Sequence, residues 1–367
     1  MSSLLRYNKL KLTEIKQIMK KGFTLIELMV VVALIFLLSG LILPTSYSFL
    51  QKSEIRDQLR NVESSLRKAQ AVSITDRGDS SSGIKFSQTN YILFEGESYL
   101  NRREAMDTVF NFPVAISVAG AQEVVFQKTT GLPVFPGLIG HWDFNEATGT
   151  IIYDSSCCLN QNNGIVSGTG IWSHVDGKDD SALEFGGNTY VNIENNDSLN
   201  LENEITISSW VNIPTIDSGG IIKKGNPEGD NGYNLFISGE GAVVFSLGDG
   251  SSEKTISNNY NSELLGEWVY LAAVWDGVKM KQYINGELQL NTDFFSGSVS
   301  SSTEDLIIGN GLIGKIDDVR LYNYALSNED VKTNYLARKD DIIVGLKFGE
   351  NRQYIIINSQ GKIEAIE

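Results

Sequence analysis

The chain has 367 residues, 41% of them hydrophobic and 20% charged, with a formal net charge of -15. That length is enough for two cores, and the acidic balance argues against nucleic acid as a partner, because phosphate binders gather Lys and Arg on one face. Two cysteines, Cys157 and Cys158, are adjacent, so neither a disulfide framework nor a zinc site is available; they read as loop thiols or a vicinal disulfide.

The basic residues Arg6, Lys9, Lys11, Lys16, Lys20 and Lys21 all precede an apolar run from Phe23 to Leu43. As a helix rising about 1.5 Å per residue, that run reaches roughly the 30 Å of a bilayer's hydrocarbon core. The charge bias keeps the N-terminus in the cytoplasm and places everything after Pro44 outside. Glu27 is the only ionisable residue within the run, and a charge there costs on the order of 2.5 to 3.5 kcal/mol at the membrane centre, so it needs a partner. A secretory signal is cut after its apolar region. Here the small residue at the basic-to-apolar junction is Gly22, and cleavage there would leave the run on the mature protein.

The string Lys21-Gly22-Phe23-Thr24-Leu25-Ile26-Glu27 closely resembles the prepilin signal of type IV pilins and type II secretion pseudopilins. The resemblance implies a leader over 1–22, cleavage after Gly22 by a prepilin peptidase, and N-methylation of the new terminus at Phe23. It also implies that 23–43 is a transmembrane helix that becomes the filament core. Glu27 would meet the charged terminus of a neighbouring subunit, so the partners are other pilin or pseudopilin subunits. The protein is then expected in the inner membrane before assembly, and in a cell-surface pilus or pseudopilus afterwards.

Beyond Pro44, the residues Ile55, Leu59, Val62, Leu66 and Ala69 recur at steps of four and three, which predicts a helix with one covered face. Asp79 to Gly83 is a loop by composition, and strands are predicted at 83–86, 90–94, 114–118 and 123–126. Near the other end, 342–348 and 353–358 read as a hairpin closed by a turn over 359–363. In small pilins such a hairpin follows a Thr-Gly-Leu-Pro-like segment, found here at Thr130 to Pro133, yet about two hundred residues intervene. The pilin-like part is therefore expected over 44–136 and 339–367, with a separate domain inserted at 137–338.

The insert alternates in short runs between Gly, Asn, Asp and Ser, which predicts an all-β sandwich or jelly roll. Gly140 to Phe144, Ile205 to Asn212, Trp268 to Asp276, Tyr283 to Gly286 and Gly314 to Tyr322, in this order, resemble the laminin-G-like, concanavalin A-like domains. The expected fold is thus an α+β pilin carrying an all-β laminin-G-like jelly roll. Asn285-Gly286 suits a two-residue hairpin turn, and Ser327 with Asp330 suits a helix N-cap. Trp142, Trp210, Trp268 and Trp275 lie in strand patterns and read as core.

Chemistry-bearing motifs are sparse. Gly309, Gly311 and Gly314 form a G-x-G-x-x-G followed by a strand pattern, not the helix a dinucleotide site needs. There is no H-E-x-x-H, no G-x-S-x-G and no glucanase-like E-x-D-x-x-E, and Asp317 and Asp318 should point to opposite faces of a strand. The chain is therefore expected not to be an enzyme. The laminin-G resemblance implies a calcium ion near the first and last strands, with Asp143 and Asp318 as ligands and Asp154 and Asn163 in the adjoining loop. The expected function is a minor pilin-like subunit displaying an adhesin domain toward a glycan or extracellular protein. The alternative is a pseudopilin of a type II secretion or DNA-uptake system whose insert contacts cargo or stabilises the tip. A membrane-tethered glycan hydrolase ranks behind both.

Overall fold

The computed structural model describes residues 24–366 except 76–79, 114–115, 135–136, 147, 157–161, 170–171, 218, 227–230, 261, 337–340, 350 and 359. Side chains at 36–49, 172, 173 and 176 also fall outside that description, as do Gly22, Phe23, Cys157 and Cys158 entirely. Two compact units emerge, one ending at Glu54 and one beginning at Ile55.

A helix, α1, runs Leu25–Thr75. In the first unit its described surface over Leu25 to Ile35 is exposed and, apart from Glu27, apolar. Of the expected span 23–43, the structure therefore shows helix with an apolar, uncovered flank. Among the described residues no helix is long and apolar enough to cross a membrane.

In the second unit the four-three stripe of α1 is the centre of a core. Ile55, Leu59, Val62, Leu66 and Ala69 are each at most 1% exposed. They pack with Phe86, Tyr91, Val124 and Phe126 from one sheet and with Val344, Leu346, Ile355 and Ile357 from another. The first sheet has strand order Thr108–Asn111, Asn90–Glu95, Ser82–Phe86, Glu123–Phe126, Pro133–Val134. The second has order Ile363–Ile366, Asn351–Ile357, Ile342–Phe348, Ile116–Gly120. Val344 faces Gly120 and Phe348 faces Ile116, so chain segments more than two hundred residues apart complete one antiparallel sheet. Gln70 on α1 ties the same ends together, its Nε2 donating to Gly131 O at 3.1 Å and to Gly361 O at 2.7 Å.

Between those segments lies a sandwich of a nine-stranded and an eight-stranded sheet. Trp142, Phe185, Ile207, Val211, Leu235, Phe245, Leu271 and Trp275 fill the space between the sheets. The entering strand Leu138–Trp142 pairs with the leaving strand Ile313–Tyr322, placing Arg320 opposite His141 and Val319 opposite Trp142. Asn285 and Gly286 both take positive φ, 51° and 77°, as a tight hairpin turn requires.

On its other face the nine-stranded sheet is covered as well. Trp210, Tyr270, Tyr283, Tyr322 and Val331 form a second cluster, with Trp268 and Tyr335 partly buried against it. Val331 and Tyr335 come from a short helix, α2, Asn328–Leu336. Its start is a reciprocal cap, since the Ser327 N–H donates to Asp330 Oδ2 at 3.0 Å and the Asp330 N–H donates to Ser327 Oγ at 3.2 Å. The other oxygen of Asp330, Oδ1, accepts the N–H of Gly120 at the end of a pilin-sheet strand. Burial raises the pKa of the Asp330 carboxyl, against the pull of these donors. Gly120 sits at φ 86°, where an added Cβ would meet Ile343 O at 2.1 Å. Arg352 of the pilin sheet reaches Glu329 of α2 at 2.9 Å, an exposed pair of small energetic weight.

One carboxylate thus caps α2 and latches it to the pilin sheet. Asp330→Ala is expected to destabilise this unit by about 2 kcal/mol, combining a lost cap with an unsatisfied Gly120 N–H. Urea unfolding of the purified chain checks it, and an unchanged midpoint would show that α2 is held by apolar contacts alone.

Candidate functional site

At the N-terminus, Glu27 Oε2 accepts the Thr24 N–H and the Thr24 hydroxyl, both at 2.9 Å, while the Glu27 N–H donates to Thr24 Oγ1 at 3.3 Å. This is a capping box over the first turn of α1, on an exposed surface. The adjacent Gly22 and Phe23 lie outside the described residues.

The four residues expected as cation ligands each accept hydrogen bonds from the protein. Asp143 Oδ1 accepts the N–H of Asn145 at 3.1 Å around Phe144, whose φ is 54°. Asp154 Oδ1 takes the N–H groups of His141 and Ser156, at 3.0 and 2.9 Å, and its Oδ2 takes that of Asn162 at 3.1 Å. Asn163 Oδ1 accepts the N–H of Asp154 at 2.9 Å. These side chains shape the loop after the entering strand. Among the described residues, no three His, Cys, Asp or Glu side chains group so as to hold a metal.

Asp318 is the most constrained of the set. Its strand pairs Ser208 with Arg320 but Trp210 with Asp317, so the leaving strand carries one extra residue, and Asp318 there has φ 51°. That bulge overturns the expected alternation. Ile316, Val319 and Leu321 join the inter-sheet core. Asp317 and Asp318 do not, and Asp318 lies with His141 and Arg320, whose partners in register flank it. Asp318 Oδ1 accepts from Arg320 Nε at 2.8 Å and from His141 Nε2 at 2.7 Å, with all three side chains buried. Burial alone would raise the Asp318 pKa, but the guanidinium and the imidazole outweigh it and hold the carboxyl at about 2.

Because an ionised Asp318 only accepts, His141 donates through Nε2. The hydroxyl of Ser155 sits 3.0 Å from His141 Nδ1 and 3.0 Å from the His141 carbonyl. Ser, His and Asp in this connectivity resemble a nucleophilic relay, but the carboxylate is neutralised by Arg320 and the Ser156 N–H, the oxyanion donor next in the chain, is spent on Asp154. The network orients the His141 ring and the Arg320 guanidinium on one carboxylate.

This network forms one wall of a cavity of about 310 Å³. His141, Ser155, Arg320, Tyr322, Tyr324 and Asn334 line it from the jelly roll and its helix. Gly120, Ala121, Leu132, Pro133, Ile342 and Ile343 line it from the pilin sheets. His141 and Arg320 were given no site role from the sequence, because their approach to Asp318 depends on the pairing of the entering and leaving strands, which places Arg320 opposite His141.

Residues 19–43 match the prokaryotic N-terminal methylation motif, and residues 185–332 match the family described as the concanavalin A-like lectin/glucanases superfamily. The chain joins a prepilin motif to a concanavalin A-like domain. No curated protein matches it. Among solved structures it is similar to domain 4 of AbnA, a GH43 extracellular arabinanase from Geobacillus stearothermophilus, solved with arabinotriose. That match has 20% identity and a TM-score of 0.44, covering 54% of this chain and 97% of that domain. It is also similar to the binding domain of Paraclostridial Mosquitocidal Protein 1, at 17% identity and a TM-score of 0.45, covering 54% and 52% of the two chains. The binding domain of botulinum neurotoxin serotype G matches at 13% identity and a TM-score of 0.45, covering 60% and 66%.

In this prepilin-motif protein the Asp318 pKa lies below the roughly 3.9 of an unfolded aspartate, so the stability it contributes is present above that value and is lost as pH falls toward 2. Thermal melts from pH 5 to pH 2 should show this loss, and in Asp318→Asn the melting temperature should be lower at pH 5 and less steeply dependent on pH. Parallel pH profiles for the two proteins would remove Asp318 from the account of acid stability.

Proposed function

We propose that this chain is a minor type IV pilin-like subunit that enters a pilus or pseudopilus through its N-terminal helix and displays the jelly roll to a glycan or protein surface. The observation that supports this most is the way the jelly roll is mounted. Its first and last strands pair with each other, and α2 continues from the last strand into a latch on the pilin sheet. A domain on a slack linker would leave no such buried cap. Because a domain of this bulk would crowd a filament if every subunit carried it, the minor role follows. Binding without turnover fits the engaged state of Asp318 and the Ser156 N–H.

The membrane-spanning role of 23–43 and the pairing of Glu27 with a neighbour's terminus belong to the same proposal. The capping box of Glu27 is exposed, so its carboxylate can exchange Thr24 for an ammonium on another subunit. In cells making the protein with its filament system, mass spectrometry should find a mature chain beginning at N-methylated Phe23. Glu27→Val should leave the processed subunit in the membrane fraction and out of sheared filaments; equal recovery in filaments would defeat the assembly role.

For recognition, the detergent-solubilised chain should bind a defined component of a glycan and extracellular-protein array. Absence of any bound component would sink the adhesin reading and favour a purely structural part at a filament or secretion tip.

A further inference from the structure

We propose that the cavity between the jelly roll and the pilin sheets is a sugar site, taking a neutral polyhydroxylated ligand of monosaccharide size. The inference rests on the reading of the jelly roll as a surface-binding domain, and it adds that the pilin body forms half of the site.

Size and chemistry both point this way. At about 310 Å³ the cavity lies at the lower end of small-molecule sites, which run roughly from 300 to 1,000 Å³. Asp143, Asp330 and Asp341 also line it, which disfavours an anionic ligand, and its cationic groups are already engaged. Arg320 and His141 both converge on Asp318, so neither is an uncompensated cation awaiting an acidic ligand. Asp330 is occupied by the Gly120 and Ser327 N–H groups. What remains is hydrogen bonding and aromatic surface.

Tyr322 and Tyr324 stand edge to face, with ring centroids 5.5 Å apart, and both line the cavity. The C–H faces of a pyranose or furanose carry slight positive charge and pack against the negative faces of such rings. Asn334 Nδ2 donates to the Tyr322 hydroxyl at 3.3 Å, but an amide has two donors and an acceptor, more than this contact uses. The Ser155 hydroxyl, whose proton is directed at His141, adds an acceptor for a ligand hydroxyl. Hydroxyl-rich ligands call for this mixture, and an apolar ligand would leave these groups unpaired.

Ala121 sits on the opposite wall, contributed by the pilin body. If the site is shared, it can be blocked from either side. Ala121→Trp fills the cavity from the pilin side, and Asn334→Leu removes the amide from the jelly-roll side.

The test is saturation-transfer NMR on the full chain in detergent, with free glucose, galactose, mannose and arabinose as probes. At least one sugar should bind, and each variant should bind it about tenfold more weakly while keeping the wild-type melting temperature. Unchanged sugar binding in both folded variants would place the site elsewhere on the jelly roll and overturn this proposal, with the display function intact. Failure of all four sugars to bind a wild-type chain that does bind a glycan array would overturn the ligand class. Failure on both the sugars and the array would remove the recognition reading along with the site.

Discussion

The pairing of the strand that enters the jelly roll with the strand that leaves it is the constraint on which the architecture depends. A domain placed inside another must return the chain close to where it departed, or the host sheet cannot close. Leu138–Trp142 and Ile313–Tyr322 meet that condition by being antiparallel neighbours. The host can then pair Ile342–Phe348 with Ile116–Gly120 as though nothing intervened. Gln70, with one amide on Gly131 and Gly361, registers the two ends of the pilin body against α1 itself.

The same strand pair creates the buried polar network. The extra residue at Asp318 keeps Asp317 and Asp318 both out of the inter-sheet core, while the register places Arg320 opposite His141 beside Asp318. A buried ion pair is weak evidence of stability, because desolvating two charges offsets much of their attraction. Its worth here is positional. Asp318 fixes the His141 ring and the Arg320 guanidinium together, and both line a wall that the pilin sheets face. Losing one partner would leave the other buried without its charge.

Much of this was legible in the residues, and the reasons for the failures are specific. The stripe Ile55, Leu59, Val62, Leu66 and Ala69 is a period-3.6 pattern on a helix with one covered face, so every member is buried. Glu123–Phe126 and Ile342–Phe348 stood out because they are rich in β-branched and aromatic residues that pack on α1. The strand Thr108–Asn111 did not stand out, being short, at the sheet edge and largely exposed, which removes the alternation that marks a strand. Asp318 misled because a non-glycine residue at positive φ is imposed by the surrounding sheet and has no local signature in Asp-Asp. The cation expected at Asp143, Asp154, Asn163 and Asp318 came from the laminin-G resemblance alone; what the residues themselves did not reveal is that backbone N–H groups, Arg320 and His141 donate to these side chains.

A seam between two modules is a weak place unless something is gained from it. Here the described contacts across the seam include a latch by a single carboxylate and an exposed ion pair, Asp330 with Gly120 and Arg352 with Glu329. A cavity of about 310 Å³ is lined by residues of both modules. Any ligand that touches both walls binds only the docked arrangement, so its binding free energy adds to the stability of docking by mass action. Recognition and rigidity then become one quantity. In the proposed filament role, a site at the seam would stiffen the mounting only when the target is held, and a site at the far end of the sandwich would not.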